Sequence, residues 1–417
     1  MASSLTTTSD LGLAWNPLDP EFAKDPFAFY ARARREAPVF HSPLFNVWVI
    51  TGAKEILEVT RDPARFSSVH NMTPVVPLSQ EAEALLKDGY DVFRTSGLIN
   101  NDPPSHTRVR ALFSQAFTPR RIALLEPMVR AITNELVDDL VTAGEADLVS
   151  QFSYPLPIRV IGDMMGIPRA DLPQMKRWTD DFMWLLGGQE SQEKRIERVR
   201  GIVAWGRYCQ AMIEDRRRSP RDDLTTGMVE ARVDGESFTV AEIIQQMVIL
   251  FIAGHETTTN ALGTTVFSLL QQPETWRALG GDPDRFLSAF EEGVRFHSPV
   301  QCEPRSATAD LELGGVTIPQ GGRLHLAYVS ANRDETEYES PDKFNIYREN
   351  ANRHFGFGYG VHFCVGAPLA RIEGRVGLEI LRARLPNLRL APDYRPEYEM
   401  NLFFRGLKRL PVRWDAP

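Results

Sequence analysis

The sequence predicts a mainly helical protein with a smaller β-rich part, an α+β fold whose strands come from both ends of the chain. Three observations carry this. Helical spacing dominates from Pro104 to about Gly281. Within it lies one unusually long apolar helix that starts at Thr239. Short strand signals occur early, at Val47 to Thr51, and return after Pro299.

Taken in order, Asp25 to Glu36 reads as helix, Val47 to Thr51 as strand, and Val69 to Asn101 as a long irregular stretch. Thr239 as N-cap with Glu242 three residues on makes a capping box, and Phe238 is placed to staple onto Ile243. Nothing breaks that helix before Pro273, which allows roughly 50 Å at about 1.5 Å per residue. Met247 to Ala253 is apolar on every face, so the helix should run through the centre of the protein. Later come a strand at Leu311 to Leu313 with a Gly314-Gly315 turn, a strand from Arg323 to Val329, a helix after Pro368, and strand-like segments near Leu402 and at Leu410 to Trp414. No boundary reads as a linker. The expectation is one domain over 1–417, with a β-rich lobe from 1–68, 300–345 and 388–417 and a helical lobe from 69–299 and 346–387.

Composition narrows the function. The chain has 417 residues, 43% hydrophobic and 24% charged, with a formal net charge of -8. An acidic chain lacks the long-range field that gathers nucleic acid. The N-terminus has no basic segment leading into an apolar one, and no run approaches the roughly 18 apolar residues of a membrane span. The expectation is a cytoplasmic monomer that binds neither nucleic acid nor membrane. Three widely spaced cysteines, Cys209, Cys302 and Cys364, argue against a disulfide framework or a structural zinc site.

Cys364 has unusual neighbours. In Phe355-Gly356-Phe357-Gly358-Tyr359-Gly360-Val361-His362-Phe363-Cys364-Val365-Gly366 three glycines fall within five residues. Such a backbone turns tightly and approaches something closely. Ala367-Pro368 then opens a helix, so Cys364 sits at a helix N-terminus, which favours the thiolate. A lone cysteine usually reads as a small buried hydrophobe, but a thiolate in a glycine-rich loop suits iron. The pattern F-G-x-G-x-H-x-C-x-G, which runs without a gap from Phe357 to Gly366, resembles the haem-binding loop of cytochromes P450.

Further segments match that family in order. Ala253-Gly254-His255-Glu256-Thr257-Thr258 lies mid-helix, where Gly254 and threonine hydroxyls bonding back one turn favour local distortion. It resembles the oxygen-activation motif, which implies that Thr257 hydrogen-bonds dioxygen and Glu256 relays the protons that drive O–O cleavage. Glu292 and Arg295, at i,i+3 among Phe286, Phe290, Val294 and Phe296, resemble the pair that braces the cysteine loop, with Arg348 as third partner. His106 and Arg110 share a helix face at i,i+4. By resemblance they bind haem propionates together with Arg305 and His354, and Phe357, Gly358, Gly366 and Ala253 also lie against the haem. Ala331-Asn332-Arg333-Asp334 fits the family as a packing segment.

The resemblance covers Asp25 to Trp414 and implies a P450 fold holding haem b (iron protoporphyrin IX), with Cys364 as axial ligand. The implied reaction is hydroxylation or epoxidation by O2 of a hydrophobic small molecule of polyketide, terpenoid, steroid or fatty-acid class, as in secondary metabolism. No G-x-G-x-x-G opens a helix after a strand here. Electrons from NAD(P)H are therefore expected through a separate ferredoxin or flavodoxin with its reductase, with Arg108, Arg371 and Arg375 as docking candidates. Family topology lines the substrate pocket with Val75, Val76, Phe93, Leu98, Phe182, Leu185, Ile249, Ile252, Val300, Cys302, Glu303, Phe403 and Phe404. A peroxide-using peroxygenase and a non-catalytic haem sensor or carrier are the alternatives. An intact Glu256-Thr257 pair speaks against both.

Overall fold

The computed structural model describes residues 10–88, 91–188, 190–280, 282–399 and 401–415. It divides into two compact units, one of Met1–His70, Asn260–Cys364 and Arg389–Leu410, the other of Asn71–Thr259, Val365–Leu388 and Pro411–Pro417.

The first unit is built on a five-stranded sheet in the order Val39–Ser42, Val47–Ile50, Arg323–Leu326, Glu303–Ala307, Phe66–Ser67. Only the pairing of Val47–Ile50 with Arg323–Leu326 is parallel. Ile50, Ile56, Phe66, Leu324, Leu326, Tyr328 and Phe355 form one core cluster of this unit. The Gly314-Gly315 turn joins a hairpin of Leu311–Leu313 and Val316–Ile318, both glycines at positive φ. Asp282 caps the helix Pro283–His297 by accepting from the Asp284 N–H.

The Ala331–Asp334 segment is packed in the same unit. The Arg333 guanidinium lies 3.5 Å from the ring centre of Phe27 and 3.8 Å from that of Phe296. Asp334 accepts from the Ala53 N–H, satisfying a free donor at the start of Ala53–Arg61.

The second unit is helical. The long helix spans Val240–Gln271, 32 residues, and belongs to this unit up to Thr259. Its capping box is formed: the Thr239 N–H donates to Glu242 Oε2 at 2.8 Å, and the Glu242 N–H donates to Thr239 Oγ1 at 3.2 Å. Met247, Val248 and Phe251 are buried. The helix Ala367–Arg384 packs on Glu126–Asp138, where Arg130 grips Glu379 with paired bonds of 3.0 and 2.8 Å.

Three features differ from the sequence reading. The stretch read as irregular contains the helix Gln80–Asp88, and a strand, Glu145–Asp147, interrupts the helical region to pair with Pro411–Arg413. Ala82 and Leu86 are the apolar pair buried from Gln80–Asp88, too brief a repeat to stand out. The third is Gly254, where no break occurs in the long helix. A Cβ there would come within 3.0 Å of Ile161 Cδ1, so the glycine serves packing rather than a kink. Among the described residues no helix is long and apolar enough to cross a membrane.

Candidate active site

In the first unit the cysteine loop is held by its own backbone. The Cys364 N–H donates to the Phe357 carbonyl at 2.8 Å, and the Gly358 N–H to Phe355. Gly358 and Gly360 sit at φ 66° and 68°, left-handed values that suit glycine. At Gly360 a Cβ would fall 2.2 Å from the Thr60 carbonyl oxygen. Cys364 is partly accessible, and the chain passes from it straight into Ala367–Arg384.

Beneath the loop the structure brings Glu292, Arg295 and Arg348 together, all buried. Arg295 donates to both Glu292 oxygens (2.7 and 2.8 Å), and Arg348 Nε lies 3.1 and 3.2 Å from them. A further Arg295 N–H donates to the Asn332 carbonyl, and Asn332 Oδ1 accepts from the Phe355 N–H at 2.6 Å. A chain of bonds thus runs from the ion cluster to the cysteine loop.

His354 is buried with both ring nitrogens engaged. Nε2 lies 2.8 Å from Glu291 Oε2, and Nδ1 accepts from the Gly356 N–H. Its imidazole ties the loop to the helix Pro283–His297, which the propionate reading did not anticipate. Arg305 donates to Glu303 Oε2 at 2.9 Å, and that oxygen also accepts from the Tyr328 hydroxyl at 3.1 Å. One ion pair therefore joins a residue read as a propionate partner to one read as pocket lining. Val300 bridges Phe404, the Gln301 N–H donates to the Phe403 carbonyl, and Cys302 Sγ meets the Leu402 carbonyl, so 300–303 and 402–404 run side by side.

In the second unit the long helix carries an accessible stripe inside a buried stretch. Ala253 is exposed and Gly254 and Thr257 are part-exposed, whereas Ile252, His255 and Thr258 are buried. Ala253 and Thr257 are one turn apart, and the Thr257 hydroxyl donates to the Ala253 carbonyl at 2.9 Å. Glu256 Oε1 lies 3.3 Å from His255 Nε2 and 3.7 Å from Lys176 Nζ, and Lys176 also pairs with Asp180. Burial pushes the Glu256 carboxyl up, but His255 and Lys176 outweigh it and hold it below the usual range. Lys176 and His255 were missed from sequence. The i,i+4 spacing of Lys176 and Asp180 was the available signal.

His106 is buried on the helix Ser105–Ala116, one turn before Arg110. Burial, then the Arg110 charge, lowers its pKa, so at neutral pH it is a neutral imidazole beside a guanidinium. Phe93 stacks on Phe182 at 5.1 Å, and the Val75 N–H donates to the Leu186 carbonyl at 2.9 Å. Arg195 donates to the Val76 carbonyl. Leu98, Ile249 and Ile252 are buried, and Leu185 is wholly core. Arg108 pairs with Glu242 and Glu236, and Arg375 with Glu126. Neither is a free docking charge. Arg371 lies on Ala367–Arg384.

The family model for cytochrome P450 matches residues 159–289 and 286–383. This chain belongs to the cytochrome P450 family. It is 35% identical over 419 residues to "Cytochrome P450 monooxygenase PikC" of Streptomyces venezuelae, covering 98% of this chain and 96% of that one. It is 34% identical over 410 residues to "Polyketide biosynthesis cytochrome P450 PksS" of Bacillus subtilis, covering 96% and 98%. Among solved structures, cytochrome P450 CREJ in complex with (4-ethylphenyl) dihydrogen phosphate superposes with a TM-score of 0.90 at 33% identity, covering 97% and 100%.

The fold is therefore that of a P450, the activity that of a haem-thiolate monooxygenase, and the family implies a haem cofactor. The residues fit one. Small, exposed Ala253 leaves helix surface accessible to a flat apolar group. The partly accessible Cys364 thiol is a soft donor for iron. Arg110 and the neutral His106 are donors for carboxylates.

Proposed function

We propose that this P450 inserts one oxygen atom from O2 into a hydrophobic small molecule, with Cys364 ligating haem b and Thr257 and Glu256 delivering protons. The observation that carries the reading is the acid–alcohol pair on the one accessible stripe of an otherwise buried helix stretch. Bound haem supplies the electron transfer and oxygen activation that no side chain here provides.

The protein's part is binding, positioning and proton supply. His106 and Arg110 would hold the haem propionates, and Phe357, Gly358, Gly366 and Ala253 would lie against the ring. Arg305 joins them by sharing its guanidinium with Glu303. His354 positions the loop through Glu291 instead of meeting a propionate. The buried Glu292 cluster keeps the thiol-bearing loop in place through Asn332. Thr257, now donating to Ala253, turns its hydroxyl by a χ1 rotation to donate into the site, and Glu256 restores its proton.

A polyketide, terpenoid, steroid or fatty-acid substrate is supported by the apolar side chains of Val75, Val76, Phe93, Leu98, Phe182, Ile249, Ile252, Val300, Phe403 and Phe404. The similarity to PksS, a polyketide-biosynthesis P450, favours the first of these classes. Electrons from NAD(P)H come through a ferredoxin or flavodoxin with its reductase. Three scattered cysteines leave no iron–sulfur ligand set in these residues.

The test is NADPH-dependent product formation with a ferredoxin system, using substrates that first shift the haem absorption in a panel of those classes. Thr257→Ala is expected to lose about 100-fold or more of coupled turnover while keeping the haem-thiolate band of the reduced CO complex. Cys364→Ser is expected to lose that band. Turnover with peroxide but none with ferredoxin would reverse the reading towards a peroxygenase.

A further inference from the structure

His255 is completely buried on the long helix, and its Nδ1 lies 2.6 Å from the Phe251 carbonyl oxygen. A carbonyl oxygen only accepts, so Nδ1 carries a hydrogen. In a neutral imidazole Nε2 is then a bare lone pair. Nε2 has no well-directed hydrogen bond, yet it lies 3.3 Å from Glu256 Oε1. A bare lone pair 3.3 Å from a carboxylate oxygen is repelled by it, and a buried polar atom left unmatched carries its full desolvation cost. One additional proton on either atom turns the repulsion into an attraction.

We infer that a proton is held between His255 Nε2 and Glu256 Oε1, a buried store one residue away from the Thr257 hydroxyl. The inference rests on reading Glu256 and Thr257 as the proton-delivering pair. The surroundings support it. The carboxylates of Glu256 and, further out, Asp180 favour the additional positive charge, whereas the Lys176 ammonium opposes it. Tyr154 presents its ring edge-on to His255 at 6.0 Å, and burial pushes its phenol up, so it adds no charge at neutral pH. The Phe251 ring, 5.2 Å away, is apolar. His255 and Lys176 hold the Glu256 carboxyl below its ordinary range.

Delivery is then a short step: the Nε2–H bond breaks, an O–H bond forms at Oε1, and His255 is left neutral with its Nδ1–H still on Phe251. The emptied pair is reloaded from solvent by way of the part-exposed Lys176 ammonium. A histidine preceding the acid thus contributes a proton of its own and does more than fill the core.

The test reads the proton directly. The reduced CO complex of the holoenzyme is diamagnetic. It is labelled with ring-15N histidine and measured at pH 7, with the His255 signals assigned from their loss in His255→Asn. Two protonated ring nitrogens are expected, with Nε2 moving to the unprotonated range in Glu256→Gln. An unprotonated Nε2 together with a carboxylic-acid infrared band that vanishes in Glu256→Gln supports the store equally, with the proton resting on the acid. An unprotonated Nε2 beside an ionised Glu256, or a bare Nδ1, overturns it. Turnover is not read, so failure here leaves the Thr257 result standing. A failed monooxygenase assay likewise leaves this measurement intact.

Discussion

Glu292→Gln tests how strongly one buried carboxylate holds the cysteine side of the first unit. Glu292 is fully buried and accepts from Arg295, Arg348 and the Asn345 N–H. The amide keeps the shape, removes the charge, and turns one acceptor into a donor facing guanidinium N–H groups. Breaking a buried pair by removing one partner costs about 3–5 kcal/mol. Two cations lose their counter-ion here, which places the cost in the upper half of that range. Unfolding entropy of about 2.1 cal/mol/K per residue gives roughly 0.9 kcal/mol/K for a chain of this length, so Tm should fall by about 4–6 °C. The assay is thermal unfolding of the holoenzyme alongside the reduced CO spectrum. Because Arg295 also holds Asn332, and Asn332 holds the Phe355 N–H, the haem-thiolate band should fade together with stability. Arg384→Ala is the control: its partner Asp138 is largely exposed, and the loss should stay within about 1 kcal/mol. A Glu292→Gln protein that melts within a degree of wild type would refute the brace.

Two other outcomes follow from local geometry. Gly360→Ala puts a Cβ 2.2 Å from the Thr60 carbonyl at φ 68°, so it should cost at least about 1–2 kcal/mol and lower haem retention, read as haem per protein after gel filtration. Glu373 is buried on Ala367–Arg384 with Oε2 unbonded, and burial raises its carboxyl pKa well above the usual value. The folded state then holds a proton that the unfolded chain releases above about pH 4.3, so stability falls by about 1.4 kcal/mol per pH unit from there up to the raised folded-state pKa. Glu373→Gln should flatten that slope, gaining most at pH 8 and least at pH 5 in denaturant titrations; an unchanged slope would show that the carboxyl does not hold its proton.

What could be read from the sequence was whatever depends on residues a turn apart. The Thr239–Glu242 capping box and the Glu292–Arg295 pair are three residues apart, and each is visible as a pattern before any fold is known. The mainly α fold with strands from both ends was legible for the same reason, since periodicity is local. Gly254 shows where such reading misleads. A glycine in a helix suggests a kink, and only the position of Ile161 on another helix reveals that it relieves a contact.

Donor residues show the deeper limit. A sequence identifies which side chains can grip a carboxylate, but not which other carboxylates compete for them. His354 read as a haem partner, yet Glu291, 63 residues earlier, takes its Nε2. Arg305 read the same way, and its competitor lies two residues away in Glu303, on the same side of an extended strand. At 2.9 Å that pair cancels much of the guanidinium charge, and the Tyr328 hydroxyl on the same oxygen steadies it. Whatever Arg305 contributes to a propionate therefore depends on Glu303, and a change of charge at Glu303 should reach the haem through Arg305 as well as any substrate directly. A residue proposed for the pocket and one proposed for the cofactor here form one electrostatic unit, which no assignment of separate roles along the chain would reveal.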